Sequence, residues 1–219
     1  LGDALQGVMT HAGDSYNCDT TECIRGVAER ERDAVVRSAQ LMRAHGSVCP
    51  VVSVGSTPTA HFARDLNGVT EVRAGVFMFF DLVMHGIGVC AIDDIAPSVL
   101  ATVIGHKPEK GWVLVDAGWM AMSRDRGTAR HPVDQGYGVV CDVDGVPYPD
   151  LIVVETSQEH GVVAVRPGTD AKLPHLRIGS RVRILPNHAC ATGSQHDDYH
   201  VVRSGSRQLV ATWPRVRGW

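Results

Sequence analysis

The residues best placed to do chemistry are His188 and Cys190, in the stretch Pro186-Asn187-His188-Ala189-Cys190-Ala191-Thr192. They follow Arg181-Val182-Arg183-Ile184-Leu185, an alternating run that reads as a β-strand. If the strand continues through them, its period of two points both side chains to one face. An imidazole beside a thiol can hold a borderline-soft divalent metal. Two protein ligands leave positions open for water or substrate. The plain alternative is a buried cysteine beside a hydrogen-bonded histidine at a strand end.

Other groups cluster in turns. His11-Ala12-Gly13-Asp14-Ser15-Tyr16, Gly55-Ser56-Thr57-Pro58-Thr59 and Arg73-Ala74-Gly75-Val76 each follow a short apolar run. In parallel α/β architectures ligands collect at such strand ends. Glycines let backbone N–H groups approach an anion, and the Ser56 and Thr57 hydroxyls add donors. Gly55–Thr57 with Gly75–Val76 could therefore cradle a phosphate; the alternative is that they are ordinary glycine turns. Tyr16 could hydrogen-bond a cofactor ring or be a half-buried tyrosine. Gln158-Glu159-His160-Gly161 is an acid–base pair or a solvated turn. In Asp116-Ala117-Gly118, the glycine implies a close backbone approach.

The elements that must position these groups fall into two textures. Residues 5–10 and 50–54 read as short buried strands. Between them Asp19 and Glu22 mark a helix start, and Ile24, Val27, Ala28, Val35, Ala39 and Met42 recur at helical spacing until Gly46. A shorter helix is expected over 60–66, and a third strand over 69–80. The order β–α–β–α–β implies a parallel sheet with helical crossovers. Three strands make a narrow sheet, and the chain opens abruptly in a strand, as a (β/α)₈ barrel without its first strands would. After about residue 85, strand-like runs succeed one another at 99–104, 112–116, 138–141, 151–154, 162–165, 182–185, 199–202 and 208–213. Asp144-Gly145 and Ser204-Gly205 are hairpin turns among them. This half reads as an antiparallel barrel or sandwich. The expected domains are 1–85 and 86–219.

Composition narrows the class. The chain has 219 residues, 44% of them hydrophobic and 21% charged, with a formal net charge of −3. No basic stripe favours nucleic acid. No apolar run approaches the ~20 residues of a membrane helix, and Leu1-Gly2-Asp3-Ala4-Leu5 lacks a signal-peptide layout. Cysteines at 18, 23, 49, 90, 141 and 190 form no CxxC pair, which suits reduced thiols and a cytoplasmic setting. Lysine occurs only at 107, 110 and 172.

Taken in order, these motifs resemble one family. His11-Ala12-Gly13 with Tyr16, Val54 through Thr59, Glu71 through Val76 with Phe80-Asp81, and Val115-Asp116-Ala117-Gly118 are joined by Met120 through Arg130. Gln158 through Gly161, Pro186 through Thr192 and the closing Arg217-Gly218-Trp219 complete the set. The whole is similar to the D-serine dehydratase and D-threonine aldolase family, whose fold is that of alanine racemase: a (β/α)₈ barrel carrying pyridoxal phosphate (PLP), then a β-domain. The resemblance implies the C-terminal part of that fold, the last barrel strands followed by an antiparallel β-domain. It implies that Gly55, Ser56, Thr57, Gly75 and Val76 hold the cofactor phosphate and that Tyr16 lies beside the pyridoxal ring. It makes His188 and Cys190 ligands of a divalent metal: zinc, manganese, cobalt or magnesium.

The aldolase branch usually carries His-x-Asp where this chain has His188-x-Cys190, so the dehydratase branch is favoured; Val76 in place of asparagine makes D-serine itself a less certain substrate. The implied activity is dehydration of a D-3-hydroxy amino acid, of the D-threo-3-hydroxyaspartate or D-serine type, to a 2-oxo acid and ammonia. Retro-aldol cleavage, or a non-catalytic fragment binding phosphate or a partner chain, are the alternatives. Family members form homodimers and carry a Schiff-base lysine on the first barrel strand. Nothing here corresponds to that strand, and Lys107, Lys110 and Lys172 all fall in the β-rich half. A missing N-terminal barrel segment and an inactive isolated chain are therefore expected.

Overall fold

The structure, a computed structural model, describes residues 4–216. Leu1-Gly2-Asp3 and the motif Arg217-Gly218-Trp219 lie outside the described residues. The chain divides into two compact units, one holding 4–80 and 84–91, the other 81–83 and 92–216.

The first unit is a three-stranded parallel sheet in the order β1 (Gly7–Met9), β2 (Val51–Val54), β3 (Glu71–Val72). Helix α1 (Thr21–Ala44) crosses from β1 to β2, and α2 (Thr57–Phe62) from β2 to β3. The N-cap of α1 is Thr20 rather than Asp19; its hydroxyl accepts from the Cys23 amide at 3.2 Å. The α1 face that repeats at 24, 27, 28, 31, 35 and 39 is buried, and its apolar members Val35 and Ala39 pack with Cys49, Val52 and Val54.

Three further expectations change. Cys18 and Cys23 are joined in a disulfide, because the capping turn folds their Cα atoms to 5.6 Å. Helix α2 starts at Thr57 rather than 60, because Ser56 caps it, accepting from the Thr59 amide. The third strand ends at Val72; residues 76–78 form a single 3₁₀ turn.

The second unit is a closed antiparallel barrel, not a sandwich. Its strands are β4 (Val99–Lys107), β5 (Trp112–Val115), β6 (Gly138–Cys141), β7 (Pro147–Thr156), β8 (Gly161–Val165) and β9 (Arg181–Pro186), in the order β4-β5-β8-β7-β6-β9. Pairing of β4 with β9 closes the ring. The lumen is filled by alternate residues, among them Val103, Val113, Val115, Val140, Val153, Val163 and Ile184. A separate hairpin, β10 (Asp198–Val202) with β11 (Leu209–Pro214), ends the described chain. Short helices α3 (Leu82–Gly86), α4 (Trp119–Met122) and α5 (Ala189–Gly193) complete the elements. No described helix is long and apolar enough to cross a membrane.

Candidate active site

In the first unit the three turns lie together. The His11 ring nitrogen Nδ1 is 2.9 Å from the Gly55 carbonyl, so it donates there, and its ring centroid lies 6.0 Å from that of Tyr16. Ser15 Oγ donates to the Ala12 carbonyl at 2.6 Å and lies 3.2 Å from Ser56 Oγ. The Phe77 amide donates to Thr57 Oγ1 at 3.1 Å, tying the 75–77 turn to the start of α2. A Cβ at Gly55 would meet the Arg73 carbonyl at 1.9 Å, so only glycine lets β2 and the 73–75 segment approach this closely.

The residue that organises these turns is Glu31, which belongs to none of the motifs above. It is buried on α1, and Oε1 accepts from the Gly55 amide and from Thr10 Oγ1, both at 3.0 Å. Its Oε2 accepts from Thr59 Oγ1 at 3.0 Å, and Thr59 Oγ1 is 2.9 Å from Ser56 Oγ. The signal was present: Glu31 occupies the apolar register between Val27 and Val35, where a carboxylate persists only with partners.

The fit to a phosphate rests on backbone rather than on the Ser56 hydroxyl, which is already engaged inside the turn. Among the described residues, the amides of Ser56, Thr57, Gly75 and Val76 donate to no backbone carbonyl. Gly75 has φ −117°, and a Cβ there would meet nothing within 4 Å. No contact within the chain requires a glycine at 75, and the space beside it is open. These residues fit a phosphate group.

In the second unit the strand does not continue through the metal motif. Strand β9 stops at Pro186, His188 has extended backbone as the N-cap of α5, and Cys190 is in its first turn. The two side chains lie close enough, across a helix entry rather than at a strand's period of two, for Cys190 to act on the His188 ring. Asp125 reaches the same ring, with His188 Nδ1 2.6 Å from Asp125 Oδ2. The Cys190 contact, then the hydrogen bond and charge of Asp125, raise the His188 pKa from 6.5 to about 9 against the opposing effect of burial.

Neighbouring groups hold this motif rigidly. Asn187, 2% exposed, donates from Nδ2 to Thr128 Oγ1 at 3.0 Å and to the Gly136 carbonyl at 2.7 Å; its Oδ1 accepts from the Thr128 amide at 3.0 Å. The buried Asp81 carboxylate accepts from the Ala189 amide at 2.9 Å, between the two candidate ligands. No group of three or more His, Cys, Asp or Glu suited to a metal occurs among the described residues. His188 and Cys190, with Asp125 behind the ring, offer two donors whose chemistry would suit a divalent ion with exchangeable positions.

The other singled-out motifs are structural. Glu159 and His160 are exposed in the β7–β8 turn. That turn caps α4: the Ser157 and Gln158 carbonyls accept from the Trp119 and Met120 amides at 2.9 and 3.2 Å. A Cβ at Gly118 would meet the Gln158 carbonyl at 2.3 Å, which confirms the close approach expected there.

Comparison with known proteins bears on family and fold. Residues 96–202 match the family described as "Putative serine dehydratase domain". The chain is 56% identical to D-threo-3-hydroxyaspartate dehydratase of Delftia sp. over all of its own length and 57% of that protein's. It is 33% identical to D-serine dehydratase of Dictyostelium discoideum, covering 98% of this chain and 55% of that one. The chain thus spans just over half the length of these curated relatives. A solved structure of the dehydratase, a cysteine-to-alanine variant in the metal-free form, superposes with a TM-score of 0.89 over 97% of this chain and 56% of that one. A second variant of that enzyme replaces a histidine two positions before the cysteine. An alanine-racemase-like protein of Idiomarina loihiensis, 50% identical, superposes at 0.90 over all of this chain and 58% of that one. The chain belongs to the D-serine dehydratase and D-threonine aldolase family, has its alanine-racemase-like fold, and matches the C-terminal part of its members.

Proposed function

We propose that the gene product containing this chain is a PLP- and metal-dependent lyase. It dehydrates a D-3-hydroxy amino acid, of the D-threo-3-hydroxyaspartate or D-serine type, to a 2-oxo acid and ammonia. The observation that carries the reading is the pairing of His188 with Cys190, backed by Asp125. The His-x-Cys spacing also matches the two positions replaced in the solved dehydratase variants, one of them metal-free.

In this reading the amides of Ser56, Thr57, Gly75 and Val76 and the backbone of Gly55 hold the phosphate, and Tyr16 flanks the ring. When bound, PLP supplies an electron sink for the carbanion at Cα. The metal supplies a Lewis acid for the β-hydroxyl leaving group. Thr57 Oγ1, whose oxygen accepts from the Phe77 amide, keeps its own proton for an anionic oxygen. Cys190 and His188 must shed their protons to bind a metal, and Asp125 keeps the ring oriented as they do. Lys107, Lys110 and Lys172 all belong to the barrel unit, and Lys110 lies over the Trp112 ring at 4.4 Å. In this reading the Schiff-base lysine belongs to a segment outside these residues, and residues 1–219 alone are expected to be inactive. A cytoplasmic homodimer completes the reading.

Product analysis of the full-length gene product tests it. Oxaloacetate or pyruvate with equimolar ammonia is expected. Glycine with an aldehyde would replace dehydration by retro-aldol cleavage. No turnover with PLP and metal supplied would reduce the chain to a binding module.

A further inference from the structure

Asp125 lies behind His188 in an arrangement that the local structure is built to hold. Its carboxylate meets Nδ1, which leaves Nε2 as the ring nitrogen not committed to Asp125. A neutral imidazole that carries its proton on Nδ1 has its lone pair on Nε2, the form a metal requires. An acceptor fixed at Nδ1 selects that tautomer and sets the ring plane.

The segment that delivers Asp125 is anchored at both ends of α4. Its first-turn amides donate to the Ser157 and Gln158 carbonyls. At its C-terminal end, Thr192 Oγ1 donates to the Met122 carbonyl at 2.7 Å and His196 Nε2 to the Ala121 carbonyl at 2.8 Å. Both of these side chains follow Cys190, so the element bearing the candidate ligands holds the helix that leads to Asp125. The chain then reverses at Ser123, where φ is +80°, a left-handed value that disfavours a residue with a side chain. Ser123 is buried, and its Oγ accepts from the Asp125 amide at 3.2 Å. A strained residue kept where glycine would be easier, with its hydroxyl bonded to Asp125, indicates that the placement of this carboxylate is specified.

We propose that Asp125 is the positioning residue for His188: by accepting the Nδ1 proton it presents Nε2 to the divalent metal. The proposal rests on His188 and Cys190 being metal ligands, so its test separates the two. Zinc affinity of the full-length gene product, loaded with PLP, is measured by competition with a chromophoric chelator. The proteins compared are wild type, H188A, D125A and D125N, with circular dichroism of each. H188A is expected to lose zinc. D125A is expected to bind zinc about 10–100-fold more weakly, with part of the loss restored by added formate, a free carboxylate that a merely structural role would not answer to. D125N keeps the shape and an acceptor oxygen but not the charge, so a smaller loss is expected. If H188A loses zinc while D125A and D125N bind it within twofold of wild type, the proposal is overturned and the metal site stands. If H188A binds zinc as wild type does, the ligand assignment fails and takes the proposal with it. Should D125A fail to fold, D125L, which fills the space but has no acceptor, decides in its place: wild-type zinc affinity in that variant overturns the proposal.

Discussion

Replacing Glu31 tests whether one carboxylate organises the turns of the first unit. Its two oxygens accept three hydrogen bonds, from the Gly55 amide, Thr10 Oγ1 and Thr59 Oγ1. In Glu31→Ala the three donors fare differently. Thr10 is half-buried and can turn to water. Thr59 Oγ1 can turn toward the Ser56 carbonyl, 3.4 Å away. The buried Gly55 amide has no such substitute, and a buried unsatisfied donor costs about 1–3 kcal/mol. Loss of the side-chain methylenes from a packed helix face adds about 1 kcal/mol or more, so a total near 3 kcal/mol is expected. Glu31→Gln can keep its amide oxygen at the Oε1 position, where the Gly55 amide and Thr10 donate. Its NH₂ can donate to Thr59 Oγ1, whose hydroxyl reverses. The expected cost is then below about 1 kcal/mol. Urea denaturation of the full-length gene product reads both, and PLP titration of the apo form reads the effect on the cradle. Equal damage from Gln and Ala, or a change under about 0.5 kcal/mol in Ala, would refute the carboxylate's role as organiser.

Asn187→Ala strips the Thr128 amide and the Gly136 carbonyl of their buried partner, so about 2–4 kcal/mol of stability should be lost in chemical denaturation. Gly118→Ala drives a Cβ into the Gln158 and Ser157 carbonyls; about 3 kcal/mol of destabilisation and disorder of α4 are expected by denaturation and amide exchange. With the folded pKa of His188 raised from 6.5 to about 9, its charged ring stabilises the metal-free protein fully below pH 6.5, and that contribution fades as pH rises through 9. The metal competes with the same proton, so zinc affinity should climb from pH 6.5 toward 9; a flat profile by chelator competition contradicts the assignment.

Much of the architecture could be read from periodicity. Short valine-rich apolar runs marked every barrel strand, although β4 and β7 ran beyond their apolar centres. Closure of the ring could not be read, since the β4–β9 pairing joins residues about 80 apart in sequence. The helix start moved because capping by Thr20 and Ser56 depends on backbone angles, not on residue type alone. His188 and Cys190 were legible as a pair, yet a proline and an N-cap, rather than a strand, bring them together. Asp125 and Glu31 were missed for different reasons. Asp125 is 63 residues from its partner, and Glu31 was hidden among the acidic residues of an amphipathic helix.

The parallel sheet and the barrel differ in how their margins are finished. The barrel strands close on one another and offer no free flank. In the parallel sheet, by contrast, β1 and β3 are outermost, with Met9 and Val72 exposed along them. Outermost strands offer backbone donors and acceptors to any extended polypeptide. Prepared by itself, the 219-residue segment should therefore recruit strands from its own copies and form assemblies that grow with concentration.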